Sequence, residues 1–133
     1  MGAKIGRFED FIAWQKARNL TAEIYVVTDR GSFARDFALK HQIRRASISI
    51  MSNIAEGFER GRPSEFHQFL CVAKASCAEL RSQLYVALDA KHISTLQFTM
   101  LDDKAQEVGR VLGGLRISVQ NRRNAGKLIN PKS

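Results

Sequence analysis

One apolar series constrains this chain more than any other feature: Phe66, Leu70, Ala73, Cys77, Leu80, Leu84 and Ala87 alternate steps of four and three residues. That 3.5-residue period lines one face of a helix packed at a shallow angle on another, whereas a strand repeats its face every second residue. Two more stripes follow the same rule, and another departs from it only in its last step, of four residues. Ala13, Ala17, Leu20, Ile24 and Val27 form the first, Leu39, Ile43, Ala46, Ile50 and Ile54 the second, and Phe98, Leu101, Ala105, Val108, Leu112, Leu115 and Val119 the last. Each is a narrow seam that has to be covered, and four seams cover one another in a shared core.

Local signals place the helix ends. The only prolines are Pro63 and Pro131, so no predicted helix is broken internally. Helices are expected over 9–29, 35–56, 63–90 and from 94 onward. Arg30-Gly31-Ser32 ends the first, and Gly57 stands where a left-handed cap would end the second. Pro63 suits a first helical position, with Glu65 near the positive end of the helix dipole. Ser94 and Gln97 match a capping box, and Ile93 and Phe98 a hydrophobic staple, together worth on the order of 1 kcal/mol. The expected fold is all-α: an antiparallel up-down-up-down four-helix bundle, about 30–40 Å long at 1.5 Å per residue. A single domain over 1–133 is expected, with the bundle over 8–121 and a flexible basic tail over 122–133.

Composition narrows the function classes. The chain carries 21 Lys and Arg against 13 Asp and Glu, a formal net charge of +8, which favours polyanionic or acidic partners. No apolar run reaches the roughly 20 residues a membrane crossing needs, so no membrane role and a cytoplasmic location are expected. Cys71 and Cys77, six apart, match no metal spacing, and the sequence contains no Glu-x-x-His pair. No phosphate-cradling glycine loop is present. No metal, cofactor or catalytic residue is therefore expected.

A specific run lies in the second helix: Gln42-Ile43-Arg44-Arg45-Ala46-Ser47-Ile48-Ser49-Ile50-Met51-Ser52-Asn53-Ile54-Ala55-Glu56-Gly57. Phe8-Glu9-Asp10 and Trp14-Gln15-Lys16-Ala17 precede it, and Glu65-Phe66, Phe69-Leu70, Ala78-Glu79-Leu80 and Gln83-Leu84 follow. Over about residues 8–120 the chain resembles the four-helix-bundle proteins encoded in 23S rRNA intervening sequences. The accessory variability determinant protein of diversity-generating retroelements is related to them. The resemblance implies a ring-shaped homopentamer with a basic surface suited to nucleic acid, and it implies no catalysis. The chain departs from the family pattern in two places: Lys40-His41 stands where a small hydroxyl residue is common, and Arg62 where a serine cap is frequent.

Within the shared motifs, Asn53, Glu56 and Glu79 have apolar neighbours. A structural polar network joining them to Arg45 is expected, fixing helix register or a subunit contact, because an unpaired buried carboxylate is costly. Phe8, Phe11 and Trp14 lie outside the first stripe and suit a subunit interface, with internal packing of Trp14 as the competing reading. Gly109 and Gly113 suggest a close backbone approach or a kink.

Positive charge is uneven along the chain. Residues 31–62 hold six cations and three carboxylates, residues 91–133 eight and three, and residues 63–90 only two and three. Lys40, Arg44, Arg60, Arg62, Arg110, Arg116, Arg122, Arg123 and Lys127 are the expected nucleic-acid-binding residues, since guanidinium forks suit phosphate and clustered cations release counterions. An ordinary solvated basic face is the plainer reading. Five copies would carry a charge of about +40, concentrating many weak phosphate contacts on one ring. The function expected is a non-enzymatic, oligomeric protein that binds the RNA or DNA backbone. The alternative is an assembly scaffold that docks an acidic protein such as a nucleic-acid enzyme.

Overall fold

The computed structural model describes residues 5–129, with side chains through residue 125. A 3-10 turn at Phe8–Asp10 leads into α1 (Ile12–Thr28), and a second at Gly31–Arg35 leads into α2 (Phe37–Glu59). α3 (Pro63–Asp89) and α4 (Thr95–Ile129) complete an all-α chain with no strand among the described residues. α2 packs on α1 and α3, and α4 packs on α3 and α1, so every helix has two neighbours around one core.

The stripes are what the core is made of. All five stripe residues of α1 and all seven of α3 are buried, as are Ile43, Ala46, Ile50 and Ile54 of α2 and Leu101, Ala105, Val108, Leu112 and Val119 of α4. Leu39, Phe98 and Leu115 pack against this core half-buried. Each fully buried Leu or Ile stabilises the fold by about 1.5–3 kcal/mol, so the seams supply the main driving force. Phe33, in the second 3-10 turn, is fully buried as well.

The helix ends follow local chemistry. Asp36, not a residue before it, caps α2: its carboxylate accepts from the Leu39 N–H at 3.2 Å. The predicted capping box on α4 is present, with the Ser94 N–H donating to Gln97 Oε1 at 2.8 Å and the Gln97 N–H to Ser94 Oγ at 3.1 Å. Pro63 takes the first position of α3, and Arg62 before it makes no side-chain cap bond. α3 ends with Lys91 in the left-handed region at φ 62°, where the His92 N–H reaches back to the Ala87 carbonyl.

Three expectations change. Gly57 is not a cap: α2 runs through it to Glu59, and Gly61, at φ 78°, makes the turn instead. A Cβ at Gly57 would sit 2.5 Å from Phe69 Cβ, so this glycine permits the close approach of α2 to α3. Gly109 and Gly113 do not take that role, because a Cβ there would meet its nearest atom at an ordinary 3.8 and 3.6 Å. α4 continues helically beyond residue 121 to Ile129, because no proline intervenes before Pro131 and a single glycine costs only about 1 kcal/mol.

Candidate nucleic-acid interface

The interhelix register positions the charged side chains. Cys77 Sγ lies 3.1 Å from the Ala105 carbonyl, Lys74 Nζ donates to the Gly109 carbonyl at 3.5 Å, and Arg116 lies 3.6 Å from Cys71 Sγ. Falling numbers on α3 thus meet rising numbers on α4. The seam opens on its outer side into a shallow groove with small residues at its base, Ala78, Ala105 and Gly109, and three cations along it, Lys74, Arg81 and Arg110. Lys74 and Arg110 are exposed and form no ion pair among the described residues, so their charge is free to meet an anion. Extending the register brings Arg62, at the start of α3, level with Arg122 and Arg123 on α4.

Arg81 is held rather than free. Its Nε donates to Asp102 Oδ1 at 2.9 Å, and Gln106 donates to Asp102 Oδ2 at 2.8 Å. Burial pushes the Asp102 carboxyl up, but the bonds from Arg81 and Gln106 outweigh it and leave the group below its ordinary value. The ion pair fixes one wall of the groove with the Arg81 side chain still 39% exposed. Opposite charges also tie the outer helices: Lys16 to Glu107 and Lys104 to Glu23 join α1 to α4.

The expected binding residues divide into groups. Lys40 pairs with Asp29 at 3.2 Å. Arg44 is a structural tie: its Nε donates to Thr28 Oγ1 at 2.9 Å, and its guanidinium lies 4.2 Å over the Tyr25 ring, joining α2 to α1. Arg60 pairs with Glu56 and lies over the Phe69 ring. Arg62, Arg110 and Arg122 are exposed, while Arg116 and Arg123 are half-buried. The side chain of Lys127 lies outside the described residues. Lys40 and Arg44, near the start of α2, are not gathered with the arginines of α4. Lys74 and Arg81 escape a reading by segment charge because their segment sums to a negative value, although seven-residue spacing on α3 puts both on one face.

The expected four-residue network does not assemble within the chain. Asn53 donates to the Ser49 carbonyl at 2.8 Å, and Ser49 Oγ meets Ser76 Oγ at 2.8 Å across the α2–α3 seam. Glu56 is exposed and pairs with Arg60 one turn on, Glu79 accepts from Gln83 at 3.1 Å, and Arg45 points to solvent. Arg45 and Glu56 lie opposite the buried Ile43–Ala46–Ile50 stripe, so neither needs an internal partner. The aromatics also find contacts within the chain: Phe11 packs edge-to-face on Phe58 and Phe66, and Phe8 on Trp14 at 5.3 Å. Trp14 stays half-buried. Among the described residues no three His, Cys, Asp or Glu side chains gather as for a metal ion, and no helix is long and apolar enough to cross a membrane.

The model of one protein family, the 23S rRNA-intervening sequence protein, matches residues 9–114, a span that reaches into all four helices and includes the groove. The chain belongs to that family. A crystal structure from Bacteroides thetaiotaomicron VPI-5482, described as a protein of unknown function from the S23 ribosomal protein family, shares the fold with a TM-score of 0.73. At 19% identity it covers 79% of this chain and 95% of its own. No curated protein sequence matches. In this member of the intervening-sequence family, every residue lining the α3–α4 groove therefore falls within the family match.

Proposed function

We propose that this intervening-sequence family protein is an oligomeric, cytoplasmic protein that holds RNA or DNA by its backbone, at a surface that does no chemistry on the nucleic acid. The bundle runs up-down-up-down, and several copies close into a ring that multiplies the +8 charge of each chain. The observation carrying this reading is the α3–α4 groove, where Lys74 and Arg110 are exposed without carboxylate partners among the described residues, beside the oriented guanidinium of Arg81. Such a surface favours phosphate by charge and by paired N–H donors. Arg110 and Arg122 are twelve residues apart on one helix, about 18 Å at 1.5 Å per residue. That spans about five steps of a duplex at 3.4 Å each, enough for several phosphates to be met at once.

No base-reading device supports sequence preference: the aromatics Phe11, Phe58 and Phe66 pack on one another. An acidic protein docked on the same groove is the competing occupant. Affinity capture of the tagged protein from cells, with and without nuclease, together with the mass of the purified assembly in solution, separates the two. Nucleic acid should co-purify with an oligomer larger than a dimer. Recovery of one acidic protein that survives nuclease, with no nucleic acid bound, would replace this reading with the scaffold.

A further inference from the structure

At the end of the bundle where α1 turns into α2 and α3 into α4, two residues of one turn, Ser32 and Asp36, are joined to His92, 60 residues on from Ser32. Ser32 Oγ lies 2.8 Å from His92 Nδ1, and His92 Nε2 lies 2.9 Å from Asp36 Oδ2. The proton positions follow from the partners. The Asp36 carboxyl is held below its ordinary value, first by its hydrogen bond with His92 and then by the Leu39 N–H, so it is ionised and can only accept. In the neutral imidazole, Nε2 therefore carries the hydrogen and Nδ1 presents its lone pair, leaving Ser32 to donate to it.

The ring is also fixed in orientation, stacked on the buried Phe33 at 5.1 Å with an interplanar angle of 24°. Asp36 is fixed in turn by capping α2. The base is mostly covered, with 11% of its side chain exposed, while Ser32 faces solvent. A nucleophile, a base within reach and a third group that orients the base make up the arrangement used for covalent catalysis, here with the two imidazole nitrogens exchanged. Arg30, Arg35 and Lys91, all exposed and without ion pairs among the described residues, flank Ser32 and His92 in the chain.

We propose that Ser32 is an activated nucleophile that accepts the acyl group of a small carboxylic ester, with His92 as its general base. Asp36 is the positioning residue. As Ser32 Oγ bonds to the acyl carbon, its proton passes to His92 Nδ1. The carbon–oxygen bond to the leaving group then breaks, and that oxygen takes the proton from Nδ1. Water deacylates the serine by the same route in reverse order. Ser32 stands on the open surface, where burial adds little binding energy, so the donor is a small ester with a good leaving group. This site is independent of the basic groove.

Two probes on the full chain test it: p-nitrophenyl acetate, and a fluorophosphonate that forms an Oγ–P bond with loss of fluoride. Wild type should release about one equivalent of p-nitrophenolate per chain in an initial burst, and the phosphonyl mass should map to Ser32. Ser32→Ala should abolish both. His92→Gln should slow phosphonylation at least tenfold. Asp36→Asn keeps an oxygen for the Leu39 cap but turns an amide N–H toward Nε2, so it should slow labelling similarly with its thermal midpoint nearly unchanged. A purely structural role would instead shift the midpoint and leave labelling as it was. Labelling elsewhere on the chain, or at an equal rate in Ser32→Ala or in Asp36→Asn, overturns the proposal.

Discussion

Gly57→Ala should destabilise this protein, although alanine is the better helix former. In an open helix position the exchange gains about 1 kcal/mol. Here the added Cβ would lie 2.5 Å from Phe69 Cβ and 3.0 Å from Phe66 Cδ1. Carbon atoms rest at about 3.5–4.0 Å, so α2 and α3 have to separate by roughly 1 Å at this level. Phe69 Cβ is fixed by its backbone and cannot rotate away. Overpacking of this kind costs about 1–3 kcal/mol, and a clash with a backbone-anchored atom belongs at the upper end, leaving a net loss of about 2 kcal/mol. For a chain of this size that lowers the thermal midpoint by roughly 6–10 °C. Gly114→Ala is the internal control, since a Cβ there meets nothing within 4 Å and should stabilise by up to about 1 kcal/mol. Thermal and urea unfolding of both variants give the comparison. A Gly57→Ala protein as stable as wild type would refute the close approach of α2 to α3.

Three further outcomes follow from particular interactions. Asp102→Asn should cost about 1–2 kcal/mol at neutral pH, because Arg81 gives up a charge-assisted partner but is partly hydrated already. The lowered carboxyl of Asp102 contributes stability above the unfolded value near 3.9, lost as pH falls through its folded value, so urea midpoints of wild type and variant should converge below about pH 4. Lys91→Gly should raise stability by about 0.5–1 kcal/mol by relieving the left-handed φ of 62°, less the extra freedom of glycine in the unfolded chain. Arg44→Ala should cost about 1–2 kcal/mol through removal of the Thr28 bond and the Tyr25 stacking, measured by the same melts.

The core was legible because its signal is local and repeated: each residue of the α3 stripe is buried, and the Ser94 and Gln97 cap forms as its spacing predicts. What depended on the meeting of separate helices was not legible. Gly57 reads as a helix end from its neighbours, and only the position of Phe69 reveals its packing role. Lys74 and Arg81 disappear in a segment charge sum because Glu79 and Asp89 lie on the same helix, although the spacing of the two cations is plain in the sequence. Ser32, Asp36 and His92 carry no sequence signal together, since the turn that brings His92 to the other two lies 60 residues on from Ser32. Arg44 and Arg45 are equivalent cations in sequence, yet a rotation of about 100° sends one against Tyr25 and the other into solvent.

The central claim is that the α3–α4 groove meets the phosphates, and the salt dependence of binding tests it most directly. Affinity for a duplex of arbitrary sequence is measured between about 50 and 200 mM salt for wild type, Lys74→Glu, Arg110→Glu and Arg45→Glu, roughly the range over which phosphate binding weakens most. Log affinity should fall linearly with log salt, and each groove variant should make the slope shallower by about 1 for every phosphate it no longer neutralises, whatever the sequence. Arg45→Glu, the same charge change on the exposed side of α2, should leave the slope near that of wild type. A slope unchanged in both groove variants and reduced in Arg45→Glu would place the phosphates on another face and contradict the account.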